Sequence, residues 1–237
     1  MNRAGLILND DLALTLRYKS CQAKLCDFKR QFIPASTRYF ELSNCQGLAL
    51  SEQIEALKFA VTCAVLAPAG PPRSRLLALL YKDDRVREAS EFSENETGLY
   101  PILEKMYKGR LIHKSQVEKF EKTLRQHQLA QHQGKTVLDR AVLEHNMLAT
   151  TQIYINISFD QLGSLLGVSA IEAEGIASRM ILEKRMEGSV DQVDQVLTFK
   201  ERSRMREWDL IVGGICEGVE EIIGMLDVKV SGGKRCA

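Results

Sequence analysis

The stretch that decides the fold is SFDQLGSLLGVSAIEAEGIASRM, residues 158–180, in which apolar residues recur at helical spacing on both sides of a glycine. Ser158 and Ser169 each occupy the N-cap position of a predicted helix, and Gln161 and Glu172 stand three residues later, as in a reciprocal capping box. Gly167 lies between the two helices, where a left-handed residue commonly ends a helix. Two short helices with buried faces at an angle predict a helix-turn-helix.

A β-hairpin is predicted directly after the second helix. MEGSVDQ (186–192) and QVLTF (195–199) favour strands and are separated by a polar turn. Helices followed by such a hairpin make a winged helix. Because an exposed strand edge can pair with a strand of another chain, we expect Val190, Asp191 and Gln192 to bind a partner.

Many winged helices bind DNA, but the charge of this one argues against that function. A recognition helix needs Lys or Arg to contact phosphates and guanine edges. Residues 159–183 contain one base, Arg179, and four acids, which gives a net charge of −3. A structural or protein-binding role is therefore favoured, and nucleic-acid binding stays as an alternative.

Composition is that of a soluble globular protein. The 237 residues are 45% hydrophobic and 27% charged, with Lys+Arg 32 against Asp+Glu 31. This balance gives no general attraction to a polyanion or an anionic membrane surface. The longest apolar stretch, FAVTCAVLAPAG, is too short to cross a bilayer, and the first residues lack the pattern of a signal peptide. We expect a protein of the cytoplasm and nucleus.

The N-terminal half predicts one helix after another. Leu14, Tyr18, Cys21, Leu25 and Phe28 step by 4, 3, 4 and 3 residues, and similar stripes follow up to the connector PAGPP. Antiparallel helix pairs with short joints predict a TPR-like α-solenoid, although no strict repeat is present.

The predicted domain organisation follows from these patterns. QHQGK marks a boundary, after which Thr136 and Asp139 can cap a long helix that leads into the winged helix. The predicted order is helical repeats at 1–133, the winged helix at 134–200, a C-terminal helix at 201–228 and a tail at 229–237.

The last predicted helix carries a heptad stripe of apolar residues, here named the C-terminal seam. Such a stripe is typical of a helix that packs on another helix. Four glycines in the same stretch each lower the stability of the helix by about 1 kcal/mol relative to Ala. The helix therefore needs packing against another helix to be ordered. It could fold back on its own domain, but we expect it to bind a partner helix. The seam consists of Met205, Trp208, Val212, Ile215, Val219, Ile222 and Leu226.

Patterns typical of catalytic, metal or cofactor sites are absent from the sequence. The four histidines form no H-x-H or H-E-x-x-H set, the six cysteines form no C-x-x-C pair, and GKT at 134–136 lacks the upstream glycine of a phosphate-binding loop. His145 lies on an apolar stripe, where we expect a hydrogen-bonded core imidazole. The sequence thus predicts a protein that is not an enzyme and has no cofactor; a hydrolase with an unrecognised site stays as a further alternative.

The charge-rich run RSRLLALLYKDDR at 73–85 allows two interpretations. Its acids neighbour bases, as in a solvated charged turn. Arg also forms bidentate bonds to carboxylates, so Arg73, Arg75, Asp84 and Arg85 could form an ion-pair surface for a partner. We predict these four residues as partner-binding residues.

Four stretches resemble the PCI family and, within it, the subunits of the COP signalosome. They are LAPAGPPRSRLLALLYKDDR, YPILEKMY, VLDRAVLEHNMLATTQIYINISFDQLGSLLGV and RMEGSVDQ, in this order. The resemblance extends over nearly the whole chain. It implies a mainly α fold, with helical repeats followed by a winged helix whose edge pairs with neighbouring PCI subunits, and a C-terminal helix that enters a shared bundle.

The resemblance also implies a function. It implies a non-catalytic scaffold subunit of the complex that removes a ubiquitin-like modifier from cullin-RING ubiquitin ligases (deneddylation). The implied partners are other PCI subunits and the JAMM-type metalloprotease subunits, one of which carries the zinc site; cullin-RING ligases are indirect partners. A subunit of the related proteasome lid is the alternative.

Three features differ from the family pattern. The family's chains extend further before Met1, so this chain is expected to be a fragment or a truncated gene product. Lys184 stands where a glycine is usual, before Arg185 and Met186. Gly213 and Gly214 are unexpected in the bundle helix.

Overall fold

The computed structural model describes residues 12–45, 47–89, 92, 98–129, 131–132, 134–200, 212, 215–216 and 219. The described part is mainly helical and contains two small antiparallel sheets, in agreement with the predicted fold class. The chain divides into two units, Met1–Phe199 and Lys200–Ala237.

The N-terminal part of the first unit is a succession of packed helices. Pro71 begins α4, where its missing N–H costs nothing, and the Asp83 side chain caps α5. Neighbouring helices pack on one another, α1 on α2 and α2 on α3, and α6 packs against α3 and α4. The helices are α1 (Leu12–Phe28), α2 (Phe32–Ser43), α3 (Leu50–Leu66), α4 (Pro71–Lys82), α5 (Asp84–Glu88), α6 (Leu99–Tyr107) and α7 (Lys114–Glu121).

The apolar stripe of α1 predicts the helix correctly but not the face that it buries. Leu14, Leu25 and Phe28 are exposed, whereas Ala23 and Asp27 are buried against the rest of the unit. Asp27 accepts hydrogen bonds from Gln128 Nε2 at 3.0 and 3.2 Å. A buried polar contact and a small residue therefore decide which side of α1 faces the core.

The C-terminal part of the first unit has the predicted winged helix, and the sheet of the winged helix has one strand more than predicted. The three-stranded sheet has the order β3-β5-β4 and is antiparallel throughout. The predicted hairpin is confirmed as β4 and β5, and β3 pairs with the other side of β5. The elements are β1 (Gln131–His132), β2 (Lys135–Thr136), α8 (Val137–Thr150), β3 (Asn156–Ser158), α9 (Phe159–Leu166), α10 (Ala170–Leu182), β4 (Gly188–Asp191) and β5 (Val196–Phe199).

The predicted serine caps of the winged-helix helices are formed, but the predicted reciprocal bonds from Gln161 and Glu172 are not. Ser158 Oγ accepts a bond from Gln161 N at 3.4 Å, and Ser169 Oγ accepts one from Glu172 N at 3.3 Å. Gly167 ends α9 in the left-handed conformation, with φ 71°. The reciprocal bond predicted for Glu172 is replaced, because its carboxylate pairs with Lys135.

A reciprocal capping box is present at the start of α8. Asp139 N donates to Thr136 Oγ1 at 3.1 Å, and Thr136 N donates to Asp139 Oδ2 at the same distance. This confirms the predicted cap of the long helix. The cap fixes the point at which the chain leaves the β1–β2 hairpin.

Helix α8 contributes to two hydrophobic cores. Leu138 and Val142, near its start, belong to the core of the helical repeats. Met147, one turn further, belongs to the core of the winged helix together with Leu162 and Leu197. One continuous helix thus joins both parts of the first unit. The boundary between residues 133 and 134 stays a prediction.

In the second unit, residues 212, 215, 216 and 219 are helical. Most of the predicted C-terminal helix, and the tail, lie outside the described residues. Within the described part of the chain, every helix is too short or too polar to cross a bilayer.

Candidate partner-binding surfaces

The wing of the winged helix ends in an unpaired strand edge. In the described part of the chain, β4 pairs with β5 on one side, with Gly188 opposite Phe199 and Asp191 opposite Val196. A strand at the edge of a sheet has backbone N–H and C=O groups on its outer side that can bind another strand. The outer side of β4 is therefore a ready site for strand addition.

The three residues predicted for this edge have different roles. Val190 is half-buried and packs on the core of the winged helix. Asp191 Oδ1 accepts bonds from Val193 N at 2.9 Å and Asp194 N at 3.1 Å, which closes the hairpin turn. The Gln192 side chain donates to Glu174 Oε1 at 2.6 Å and so ties the turn to α10. Their side chains shape the wing, and the backbone supplies the open edge.

The opposite edge of the sheet carries an exposed apolar patch that the sequence analysis did not single out. Ile153 and Ile155 precede β3, and both side chains are exposed. Phe199 N donates to Ile155 O at 2.7 Å, which fixes this segment against β5. The sheet therefore offers two different edges, a polar one at β4 and an apolar one beside β3.

A buried carboxylate holds the winged helix against the helical repeats. Glu144 on α8 is 1% exposed and accepts a bond from Ala69 N in the connector between α3 and α4, at 3.2 Å. Arg185, in the turn after α10, donates to both Glu144 oxygens at 2.5 and 3.2 Å. Arg140 Nε donates to Glu144 Oε1 at 3.1 Å. We name Glu144, Arg140 and Arg185 the Glu144 cluster.

The two arginines of the Glu144 cluster favour the charged form of the buried carboxylate. Burial by itself would raise the pKa of Glu144, but the bonds from Arg185, Ala69 N–H and Arg140 outweigh burial and lower it. The carboxylate is therefore ionised at neutral pH.

Lys184 adopts φ 55°, the left-handed region where glycine is favoured, which agrees with the glycine that the family pattern has at this position.

The charged run from Arg73 to Arg85 does not form one surface. Arg73 is 2% exposed, and Met106 Sδ lies 2.7 Å from its Nη2. Burial lowers the pKa of Arg73 to about 10, while the charge of Glu144 acts in the opposite direction. The prediction that Arg73 lies on a partner-binding surface is wrong, because α4 turns this side chain toward the core.

The Arg85 guanidinium forms hydrogen bonds with several residues of the same chain. Its Nε and Nη2 donate to the two Asp83 oxygens at 3.0 and 2.7 Å, and its Nη1 donates to Ser43 O at 2.9 Å. The hydrogen bond to Asp83 raises the pKa of Arg85. Asp84 and Arg75 are exposed, and Asp84 forms an ion pair with Arg87 at 2.8 Å. A partner role for Arg75 and Asp84 stays a prediction.

The winged helix does not present a basic face for DNA. Arg179, the one base of residues 159–183, has its Nε buried and lines a cavity. Glu174, on the same helix, binds the hairpin turn. The geometry therefore adds to the argument from charge against a recognition helix.

His145 is a core residue, as predicted. Its Nε2 lies 2.9 Å from Arg110 O, so this nitrogen carries the proton when the ring is neutral. Burial lowers the pKa of His145 to about 4, and the charge of Arg73 adds to that shift. Within the described ranges, no three His, Cys, Asp or Glu side chains are grouped so that they could hold a metal ion.

The C-terminal seam is described at three of its seven positions. Val212, Ile215 and Val219 are helical and exposed by 42%, 61% and 49%. Met205, Trp208, Ile222 and Leu226 lie outside the described residues. At these three positions the apolar side chains are open to solvent, and binding through the seam stays a prediction.

Sequence reasoning missed Glu144 and the exposed residues beside β3. The signal for Glu144 was present, since it is an acid within the otherwise apolar stripes of α8. An acid at such a position is commonly paired when it is buried. Its partners Ala69 and Arg185 are 75 and 41 residues away in the chain, so spacing alone could not identify them.

Comparison with known proteins supports the resemblance that the sequence motifs indicated. Residues 111–201 match the PCI domain. Relatives named COP9 signalosome complex subunit 4 match nearly the whole chain. The one from Dictyostelium discoideum is 43% identical over 227 residues, which cover 94% of this chain and 56% of the relative.

Two further relatives with the same name give the same result. The protein of Drosophila melanogaster is 42% identical over 231 residues, 96% of this chain and 55% of the relative. That of Arabidopsis thaliana is 38% identical over 234 residues, 94% of this chain and 57% of the relative. The chain thus spans a little over half the length of these relatives. Residues 111–201 thus form a PCI domain, and relatives that are named as a signalosome subunit match nearly all of the chain.

Proposed function

We propose that this chain is a non-catalytic scaffold subunit of a COP signalosome, which holds neighbouring PCI subunits together through its winged helix and its C-terminal seam. The observation that carries the proposal is the open outer edge of β4, in a three-stranded sheet whose central strand β5 is paired on both sides. Relatives that bear the name of a signalosome subunit favour this assembly over other uses of an open edge.

The chemistry of the surfaces also supports a scaffold. A strand edge can add a strand of a neighbouring subunit, and the exposed Ile153 and Ile155 beside β3 offer an apolar contact at the other end of the same sheet. A single sheet can in this way contact two neighbours. The C-terminal seam would add a third contact, by packing on helices of other subunits.

The proposal also covers the partners of the chain, the reaction of the complex and the cellular compartments. The direct partners are other PCI subunits and the JAMM-type metalloprotease subunits, and cullin-RING ubiquitin ligases are reached through the assembly. The complex removes a ubiquitin-like modifier from those ligases, with the catalytic zinc in another subunit. The site of action is the cytoplasm and the nucleus. Helical repeats at 1–133, a winged helix at 134–200 and a bundle helix at 201–228 are the proposed domains.

Hydrogen exchange tests the strand edge. The chain is co-expressed with PCI subunits of a signalosome, and amide exchange is compared between the free chain and the complex. Residues 188–191 should become protected in the complex, because their outward N–H groups gain acceptors. Residues 196–199 are the internal control, since β5 is already paired on both sides. Unchanged exchange at 188–191 in a stable complex would contradict docking through β4.

Charge substitution tests the C-terminal seam. Val212→Asp and Val219→Asp place a carboxylate on the seam and should each reduce recovery of the complex by about tenfold, which corresponds to the loss of one buried apolar contact. Cys216→Asp is the matched control, because Cys216 is also helical and exposed but lies outside the seam. If the three variants assemble equally well, the seam is not an interface.

A further inference from the structure

A cavity with basic walls opens within the first unit, between the helical repeats and the winged helix. Its volume is about 390 Å³. Buried apolar side chains line part of it, among them Phe32 from α2, Leu66 from α3 and Ile176 from α10. Charged side chains line the rest: Arg30, Lys135, Arg140, Arg179, Glu144 and Glu172. We name this space the basic cavity.

Both carboxylates of the basic cavity are already paired. Glu172 forms an ion pair with Lys135, and Glu144 binds Arg140 and the nearby Arg185. Four cations and two carboxylates line the basic cavity, so the net charge of the lining is +2. The cavity therefore has an excess of positive charge that its own acids do not neutralise.

Arg30 and Arg179 supply this excess. No ion pair joins either guanidinium to an acid among the residues that the structure describes. Arg179 Nε is buried and has no hydrogen-bond partner in that part of the chain. A buried donor without an acceptor is costly, and a ligand that supplies the acceptor removes this cost. The two arginines come from different parts of the unit, the turn after α1 and helix α10.

We propose that the basic cavity binds a small molecule that carries a phosphate monoester on an apolar body. A phosphate monoester has a charge of about −1.5 to −2 at pH 7, which matches the charge of the lining. Guanidinium groups bind phosphate oxygens with two parallel hydrogen bonds. The apolar part of the lining fits the body of the ligand, and the volume lies in the range of small-molecule sites. This site is independent of assembly with PCI subunits.

Calorimetric titration of the whole chain tests the proposal with three probes. Phenyl phosphate has both the phosphate and an apolar body, inorganic phosphate has no apolar body, and benzoate has a single negative charge. Phenyl phosphate should bind at one site, at least tenfold more tightly than either other probe. No saturable binding of phenyl phosphate, or equal binding of phenyl phosphate and inorganic phosphate, would overturn the proposal.

Variants assign the binding to the basic cavity. Arg30→Gln and Arg179→Gln should each weaken phenyl phosphate binding by about tenfold or more, as expected for loss of a charged hydrogen bond. Arg110→Gln is the matched control, because Arg110 is an exposed arginine outside the cavity lining. Arg30 lies in an exposed turn, so Arg30→Gln decides the outcome if Arg179→Gln does not fold. Equal affinities for Arg30→Gln and Arg110→Gln would contradict the proposed site.

Discussion

Single residues at the turn of the winged helix decide whether its two helices can meet. Gly163 lies in α9, where a Cβ atom would come within 2.8 Å of Val168 O and 3.2 Å of Ala170 N. Both are backbone atoms of the turn, so neither can move without opening the turn. Gly175 lies in α10, where a Cβ atom would meet no heavy atom within 4 Å. The same residue type thus has opposite roles in two neighbouring helices.

Alanine substitution should separate these roles. Gly163→Ala is expected to lower the free energy of unfolding by about 1–3 kcal/mol, because the added methyl group clashes with fixed backbone. Gly175→Ala should raise it by about 0.5–1 kcal/mol, because Ala has the higher helix propensity. Urea unfolding followed by circular dichroism measures both changes. If the two variants shift in the same direction, close approach at Gly163 is not the constraint.

At the scale of the elements, the Glu144 cluster joins pieces that are far apart in the sequence. It connects α8, the connector before α4 and the turn after α10, all within the first unit. A buried ion pair adds little net stability when complete, but removing one partner leaves a buried charge uncompensated. The cluster therefore fixes the orientation of α10 relative to α8, and with it the placement of the wing.

Two conservative substitutions test this role. Glu144→Gln should lower the free energy of unfolding by about 3 kcal/mol, because Arg185 and Arg140 lose their shared carboxylate. Glu183→Gln is the control, since Glu183 binds the same arginine at 2.6 Å but its side chain is 46% exposed. It should cost less than about 1 kcal/mol. Chemical denaturation at neutral pH compares them, and losses of similar size would rule out the special role of Glu144.

At the scale of the whole molecule, acid should unfold the first unit through its buried titratable groups. His145 has a folded-state pKa of about 4 against an ordinary value of 6.5. The unfolded chain therefore binds a proton between these pH values and the folded chain does not. Stability from this source is complete above pH 6.5 and declines as pH falls toward 4. Glu144, whose folded pKa is lowered, adds a further loss at lower pH.

The slope of stability against pH gives a direct measurement. Between pH 6 and 4.5 the free energy of unfolding should fall by roughly 1 kcal/mol per pH unit because of His145 alone. His145→Gln should be less stable at pH 7, because the contact with Arg110 O changes, but its slope in this range should be flatter. Urea unfolding at several pH values compares the two proteins. Identical slopes would show that His145 does not titrate in this way.

Local patterns predicted much of the fold because capping, turns and helical periodicity act over a few residues. Thr136, Ser158, Ser169 and Gly167 could all be assigned from their immediate neighbours, and each is found in its predicted role. Strand β3 was missed because three residues give too short a pattern to recognise. It exists because β5 offers an edge on that side.

Surface and burial were harder to predict than secondary structure. Arg73 and Arg75 are two residues apart in the same charged run, yet one is buried and the other is exposed. Helical geometry places residues two apart on different faces, and only the packing of α4 on α2, α3 and α6 decides which face is inside. For this reason the candidate surfaces could be predicted as regions but not residue by residue.

The sequence by itself determined the helix starts, the wing hairpin, the acidic character of the winged helix and the resemblance to the PCI family, because these depend on local chemistry and on motifs that neighbouring residues carry. Only the tertiary structure decided that Glu144 joins the two parts of the first unit, that Arg73 is buried and that Arg30 and Arg179 face one cavity. These residues lie far apart in the chain, and packing alone brings their charges within reach of one another.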